Sequence, residues 1–228
     1  MTDVAERLAE LRDRIAAACA AAGRRTGEVE LLAVSKTFPA EAVKEAYEAG
    51  HRLFGESRQQ EASPKIAVLP GDIHWHFIGS LQRNKARKVL GEFDAIHSVD
   101  SLRLAEHLDR VAGEDAKRPE IYLEVNVAGE ESKGGFSPAD LIRSAGELAA
   151  FKNLEIRGLM TIPPDDLEQA RRWFAAAREL RDRLRAASGL LLPSLSMGMS
   201  GDFEQAILEG STIVRVGSFI FGHRSYPA

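Results

Sequence analysis

The stretch Leu31-Leu32-Ala33-Val34-Ser35-Lys36-Thr37 decides how the rest of the chain reads. A continuous apolar run, closed by the turn signal Phe38-Pro39, fits a strand buried on both faces, as in a parallel sheet covered by helices. The run predicts a strand over residues 28–36, with Lys36 at its carboxyl end. An ammonium there is partly desolvated, which favours the free amine. A free amine beside a cleft is what Schiff-base chemistry with a carbonyl compound requires. The competing account is a strand-end lysine that snorkels to solvent.

Working outward, residues 2–22 read as an amphipathic helix with Thr2 as its cap, Val4, Leu8, Leu11 and Ile15 on one face, and Gly23 at its end. After Lys36 comes a helix over 39–49, with Pro39 in its first position and Gly50 beyond it. Further strands are predicted over 51–54, 74–78, 94–99, 120–127, 154–160, 192–196 and 212–216. The span 120–127 is the clearest, since Ile121, Leu123, Val125 and Val127 alternate. A helical stretch after Ser57 leads to Pro70-Gly71, and a basic helix follows over 81–90. The next helix is capped by Asp100 or Ser101, and another begins at Ser137-Pro138. A long helix over 165–188 turns Leu167, Ala170, Phe174, Ala177, Leu180 and Leu184 inward, and a short helix covers 202–209.

Eight strands separated by helices imply parallel pairing through right-handed crossovers. The expectation is one closed (β/α)8 TIM barrel over residues 1–228 with an extra N-terminal helix; an open doubly wound sheet is the alternative. No linker divides the chain. Formal charge is −4, which gives no hint of nucleic acid or an anionic membrane as partner. The single cysteine, Cys19, sits in an alanine-rich helix and reads as a small buried hydrophobe in a reducing compartment. Asp3, Glu6 and Glu10 in the first turns argue against a signal peptide, and no apolar run spans a bilayer. A soluble, cytoplasmic protein is expected.

In such a barrel the site lies at the carboxyl ends of the strands. Those ends supply Lys36, Glu56 with Ser57, Gly79 with Ser80, Asp100, Asn126, Met160 with Thr161, the run Ser196 to Ser200, and Arg215 with Gly217 and Ser218. The loops after strands seven and eight are where barrels often bind phosphate. Ser196-Met197-Gly198-Met199-Ser200-Gly201-Asp202 suits that work, as does Val216-Gly217-Ser218. Arg215 either faces the mouth, clamping an anion or donating to a ring nitrogen, or forms a buried ion pair with Glu124 or Glu56. His74 and His76 share a strand face without an evident third ligand, so packing is favoured over zinc. Arg83, Lys85, Arg87 and Lys88 make a solvated basic face.

Several segments occur in an order that resembles the pyridoxal phosphate homeostasis protein family. They are Val34-Ser35-Lys36-Thr37, Phe54-Gly55-Glu56, the run from Trp75 to Lys85, Gly158-Leu159-Met160, Ser196 to Asp202, and Arg215-Val216-Gly217. The family's fold is similar to the barrel domain of alanine racemase, and the likeness runs over about residues 8–222. It implies pyridoxal 5′-phosphate as cofactor, carried on Lys36 as an internal aldimine. It implies that Ser200 and the amides around Gly217 and Ser218 hold the phosphate, that Arg215 faces the pyridine nitrogen, and that Met199 lies beside the pocket. The family usually has asparagine where this chain has Ser57, near the cofactor, which puts one polar contact in question. The resemblance implies a role in cofactor supply and balance without strong turnover, with apo pyridoxal phosphate enzymes as partners. The chain is expected to lack the racemase's second domain and its tyrosine base; of Tyr47, Tyr122 and Tyr226, only Tyr226 is expected to reach the mouth. A monomer is expected. The alternatives are a pyridoxal phosphate-dependent racemase or lyase on a small amino acid, and a lysine Schiff-base aldolase on a phosphorylated sugar.

Overall fold

A computed structural model describes residues 3–130, 132–164 and 166–222. Its eight strands are β1 (Glu30–Val34), β2 (Leu53–Glu56), β3 (His74–Phe77), β4 (Ala95–Val99), β5 (Glu120–Glu124), β6 (Glu155–Met160), β7 (Ser194–Ser196) and β8 (Ile213–Val216). They pair in parallel in sequence order, and β8 returns to β1 with Leu32 opposite Arg215, so the sheet closes. The barrel is therefore the architecture, and the open sheet is excluded.

The helices are α1 (Val4–Ala21), α2 (Ala40–Glu48), α3 (Gln59–Val68), α4 (Ala86–Glu92), α5 (Leu102–Glu114), α6 (Pro138–Arg143), α7 (Ala145–Ala150), α8 (Leu167–Ser188), α9 (Phe203–Leu208) and α10 (Ser218–Phe221). α1 is the extra helix; its buried face is the expected one, with Cys19 fully enclosed. Asp3 is its N-cap, whereas Thr2 lies outside the described residues. Ser101, not Asp100, caps α5, its Oγ accepting from Leu104 N at 3.3 Å.

Several boundaries differ from the sequence pattern, each for a local reason. β1 stops at Val34, because Lys36 and Thr37 already form a turn. Pro39 is the N-cap of α2, not its first residue. The basic segment opens as a 3-10 turn, Arg83–Lys85, before α4. The helix after Ser137-Pro138 breaks at Ser144 into α6 and α7. α8 begins at Leu167 behind an Asp166 cap, and Asp165 lies outside the described residues. Leu167, the first residue of α8, is 57% exposed rather than inward, whereas Ala170, Phe174, Ala177, Leu180 and Leu184 are buried as the period requires.

Apolar residues on alternate strand positions divide between two cores. The larger lies between the wall and the helices and includes Phe54, Trp75, Phe77, Ile96 and Leu123. The smaller fills the barrel, with Leu32, Ala95, Tyr122, Met160 and Ile213. That inner core is too small to occupy the barrel alone. Polar side chains take the remaining space, and they lead to the mouth.

Candidate cofactor site at the barrel mouth

Lys36, Met199, Ser200, Arg215, Gly217 and Ser218 line one cavity of about 270 Å³. Val34, Ile78 and Met160 give it an apolar wall. The loops after β1, β7 and β8 thus converge, as the closed barrel requires of strand ends on one rim.

Ser200 Oγ lies 3.1 Å from Ser218 Oγ, so two hydroxyls from different loops stand side by side at the opening. Gly217 is tied to the end of β1: a Cβ there would come 2.8 Å from Val34 O. Gly198 is required by packing as well as by conformation. Its φ is +95°, and a Cβ would meet Ala206 Cβ at 2.6 Å and Phe203 Cα at 2.9 Å. The close approach it permits is to α9, which sets the loop carrying Ser200. Asp202, the α9 N-cap, accepts from Met199 N at 2.5 Å and closes the same loop.

Arg215 is buried at the base of the cavity. Its Nη1 donates to Ser196 O at 2.6 Å and Ser196 Oγ at 2.7 Å, and its Nη2 to Thr161 O at 2.9 Å. Burial pushes its pKa down to about 10, partly offset by the charges of Asp202 and Glu124, so it stays cationic at neutral pH. The ion-pair alternatives are not adopted. Glu56 points outward and its Oε1 accepts from Lys65 Nζ at 2.7 Å, while Glu124 acts on Arg215 without a hydrogen bond.

The other strand ends are not brought in. Ser57 and Ser80 line a neighbouring cavity of about 180 Å³ with Arg58, Gln59 and Lys85. Asp100 accepts from Ser101 Oγ at 2.8 Å. Asn126 organises its own loop, its Nδ2 donating to Glu130 O and its Oδ1 accepting from Glu130 N. His74 sits 3.5 Å from Asp94 at the far end of β3. His76 turns instead to His97, with Nδ1 2.9 Å from His97 Nε2, and His97 Nδ1 lies 2.8 Å from Ser196 Oγ. Sequence reasoning gave His97 no role; its only signal was one polar residue on the inward phase of an apolar strand.

Residues 7–225 match the alanine racemase N-terminal domain. The chain is 44% identical over 224 residues to the pyridoxal phosphate homeostasis protein of Aquifex aeolicus, covering 97% of this chain and 98% of that one. It is 46% identical over 229 residues to the protein of the same name from Pseudomonas aeruginosa, covering 100% and 99%. Among solved structures it is similar to PipY of Synechococcus elongatus with PLP bound, at 45% identity and TM-score 0.86 over 96% of this chain and 100% of that one. Alanine racemase from Corynebacterium glutamicum, at 19% identity and TM-score 0.73 over 93% of this chain and 61% of that one, shares the fold.

Proposed function

This chain belongs to the pyridoxal phosphate homeostasis protein family, and on that premise we propose that it binds pyridoxal 5′-phosphate at Lys36 and acts in the supply and balance of that cofactor. The observation that carries the reading is the shared cavity: an amine, a fixed guanidinium and paired hydroxyls line one space of about 270 Å³ with an apolar wall. These groups fit the cofactor's three ends. Lys36 would supply the amine for the aldehyde, Ser200 and Ser218 with the Gly217 segment would hold the phosphate, and Arg215 would serve the ring nitrogen. Met199, 37% exposed, covers one side. Ser57 lines the adjoining cavity and is not part of this arrangement.

When bound, the cofactor supplies a reversible carbonyl and a ring that accepts electrons. The chain's own groups favour holding over turnover. Arg215 donates and does not deprotonate, so it opposes a proton on the ring nitrogen and weakens that electron sink. A second acid–base group is also hard to find among the described residues. Tyr122 is enclosed in the barrel and Tyr47 Oη donates to Asp72 at 2.8 Å on the outer face; Tyr226 lies outside the described residues. Lys36 then acts as a tether that releases its cargo to apo pyridoxal phosphate enzymes. We place the protein in the cytoplasm as a monomer; no helix of the described residues is long and apolar enough to cross a membrane.

Incubation with pyridoxal 5′-phosphate should produce a visible absorbance band; borohydride, by reducing the imine, should bleach that band and leave the cofactor fixed to Lys36, and Lys36→Ala should abolish both the band and the fixed label. A wild-type protein that stays colourless in the same incubation overturns the reading.

A further inference from the structure

Behind Arg215 runs a polar chain that cofactor binding as described does not use. Four side chains cross the barrel interior from β8 to β3: Arg215, Ser196, His97 and His76, exposed by 5%, 0%, 0% and 8%. The links are 2.7 Å from Arg215 Nη1 to Ser196 Oγ, 2.8 Å from Ser196 Oγ to His97 Nδ1, and 2.9 Å from His97 Nε2 to His76 Nδ1.

The hydrogens of this chain have one consistent direction. A guanidinium only donates, so Ser196 Oγ accepts from Arg215. The serine's own hydrogen has His97 Nδ1 as its one hydrogen-bond acceptor among the described residues, so it points there and leaves Nδ1 bare. His97 therefore carries its hydrogen on Nε2 and donates to His76 Nδ1. Both imidazoles are neutral in this arrangement. Burial agrees: it pushes His76 down to about 4 and His97 well below the ordinary imidazole value, with His76 and Arg215 pressing His97 further the same way.

Among the described residues, no carboxylate hydrogen-bonds any of these four side chains. A carboxylate on Arg215 would hold it as firmly but would cancel the charge it presents to the cavity. Neutral acceptors hold the guanidinium and leave that charge for a ligand. Ser196 Oγ can serve Arg215 only while its hydrogen is turned elsewhere, and His97 is what turns it.

We propose, on the reading that the cofactor's ring nitrogen faces Arg215, that His97 is a positioning residue which fixes the Arg215 guanidinium through Ser196. It touches neither cofactor nor substrate. Its replacement changes where Arg215 stands, and so changes the electronic environment of the ring and the hold on it.

The test uses the full-length protein loaded with pyridoxal 5′-phosphate, with the visible absorbance band and the rate of cofactor release as readouts. His97→Leu removes the acceptor; it should move the band and speed release about tenfold, the effect of one unsatisfied buried hydrogen bond. His97→Asn offers an amide oxygen near the position of Nδ1 and should restore the band and bring release to within about twofold of wild type. Ser196→Ala cuts the chain one link nearer and should match His97→Leu, and the double variant should be no worse than either single, as members of one network behave. It also serves if His97→Leu fails to fold. Tyr122→Phe alters a ring 4.2 Å from His97 without cutting the chain and should leave both readouts unchanged. A wild-type band and release rate in Ser196→Ala or His97→Leu, or equal defects in His97→Asn and His97→Leu, overturns the proposal. A wild type that never takes up the cofactor overturns the binding reading instead.

Discussion

Two buried polar clusters flank the wall of this barrel, and they hold their cations in opposite ways. Outside the wall, between β2 and α3, Lys65 Nζ donates to Glu56 Oε1 at 2.7 Å and to Ser35 O at 3.0 Å, while Ser35 Oγ donates to Glu56 Oε1 at 2.7 Å. That cation is met by an anion. Inside the wall, the hydrogen-bond partners of Arg215 among the described residues are two carbonyls and a hydroxyl, with neutral imidazoles behind it. The outer charge is spent on the fold, fixing the turn that carries Lys36. The inner charge is left for the cavity. A cation meant to meet a ligand is better held by neutral groups, and one meant to brace a loop is better paired.

The largest expected effect separates the two. Lys65→Met leaves Glu56 buried without its counter-charge, and should cost about 3–5 kcal/mol in urea unfolding, as removal of one partner of a buried pair does. Adding Glu56→Gln should return more than half of that loss. Arg215→Met leaves only neutral acceptors unmet and should cost about 1–3 kcal/mol. Equal losses in the two single variants would break the contrast, because charge pairing would then make no difference.

Acid sharpens it, since the clusters titrate with opposite sign. A histidine held below its unfolded value of 6.5 takes up its proton only on unfolding, so stability is lost as pH falls from there towards about 4. His76 and His97 together should cost about 2 kcal/mol between about pH 7 and about pH 5.5, each adding up to ~1.4 kcal/mol per pH unit within the window. His51, pushed by burial to about 4, adds to the same slope from outside the chain. Glu56 runs the other way. Burial outweighs the pull of Lys65 and raises its pKa above 4.5, so its contribution grows as pH falls and is lost as pH rises. His76→Leu should flatten the acid limb of a stability profile, and Glu56→Gln should steepen it. Profiles that both move in one direction would refute the sign assignment.

Much of this was legible in the sequence because the barrel turns a linear pattern into a shared rim. Once eight strands alternate with helices, their ends must converge, and Lys36, Met199, Ser200, Arg215, Gly217 and Ser218 do line one cavity. The placement of Ser57 was not legible: β2 ends with Glu56 facing outward, and the next residue lies against the start of α3 in the adjoining cavity. The chain through His97 was less legible still. Its link to Ser196 joins positions 99 residues apart, and a histidine in an apolar strand announces neither its partner nor its tautomer. The outer pair was hidden for the same reason, since Lys65 sits in a helix whose pattern is weakly amphipathic and contains Pro64. Patterns with a period were readable, whereas pairings between distant strands and helices were not.

The smallest expected effect asks what the outer cluster does for the site. Thr37, directly after Lys36, has φ +71°, a left-handed conformation that a β-branched residue adopts only under restraint. The nearby restraints are those on Ser35: its N donates to Gly55 O at 3.0 Å, and its O accepts from Phe38 N at 3.1 Å and from Lys65 Nζ. Thr37→Asn keeps a polar side chain but tolerates that conformation, so it should raise stability by about 0.5–1 kcal/mol. If Lys65 is what holds the turn, the gain should shrink in the Lys65→Met background, where the released turn relaxes without help. The two changes would then couple, as neighbours in one network do. An equal gain in both backgrounds would mean that the strain beside Lys36 is held by β1 and β2 alone, and that the outer pair braces α3 rather than the turn.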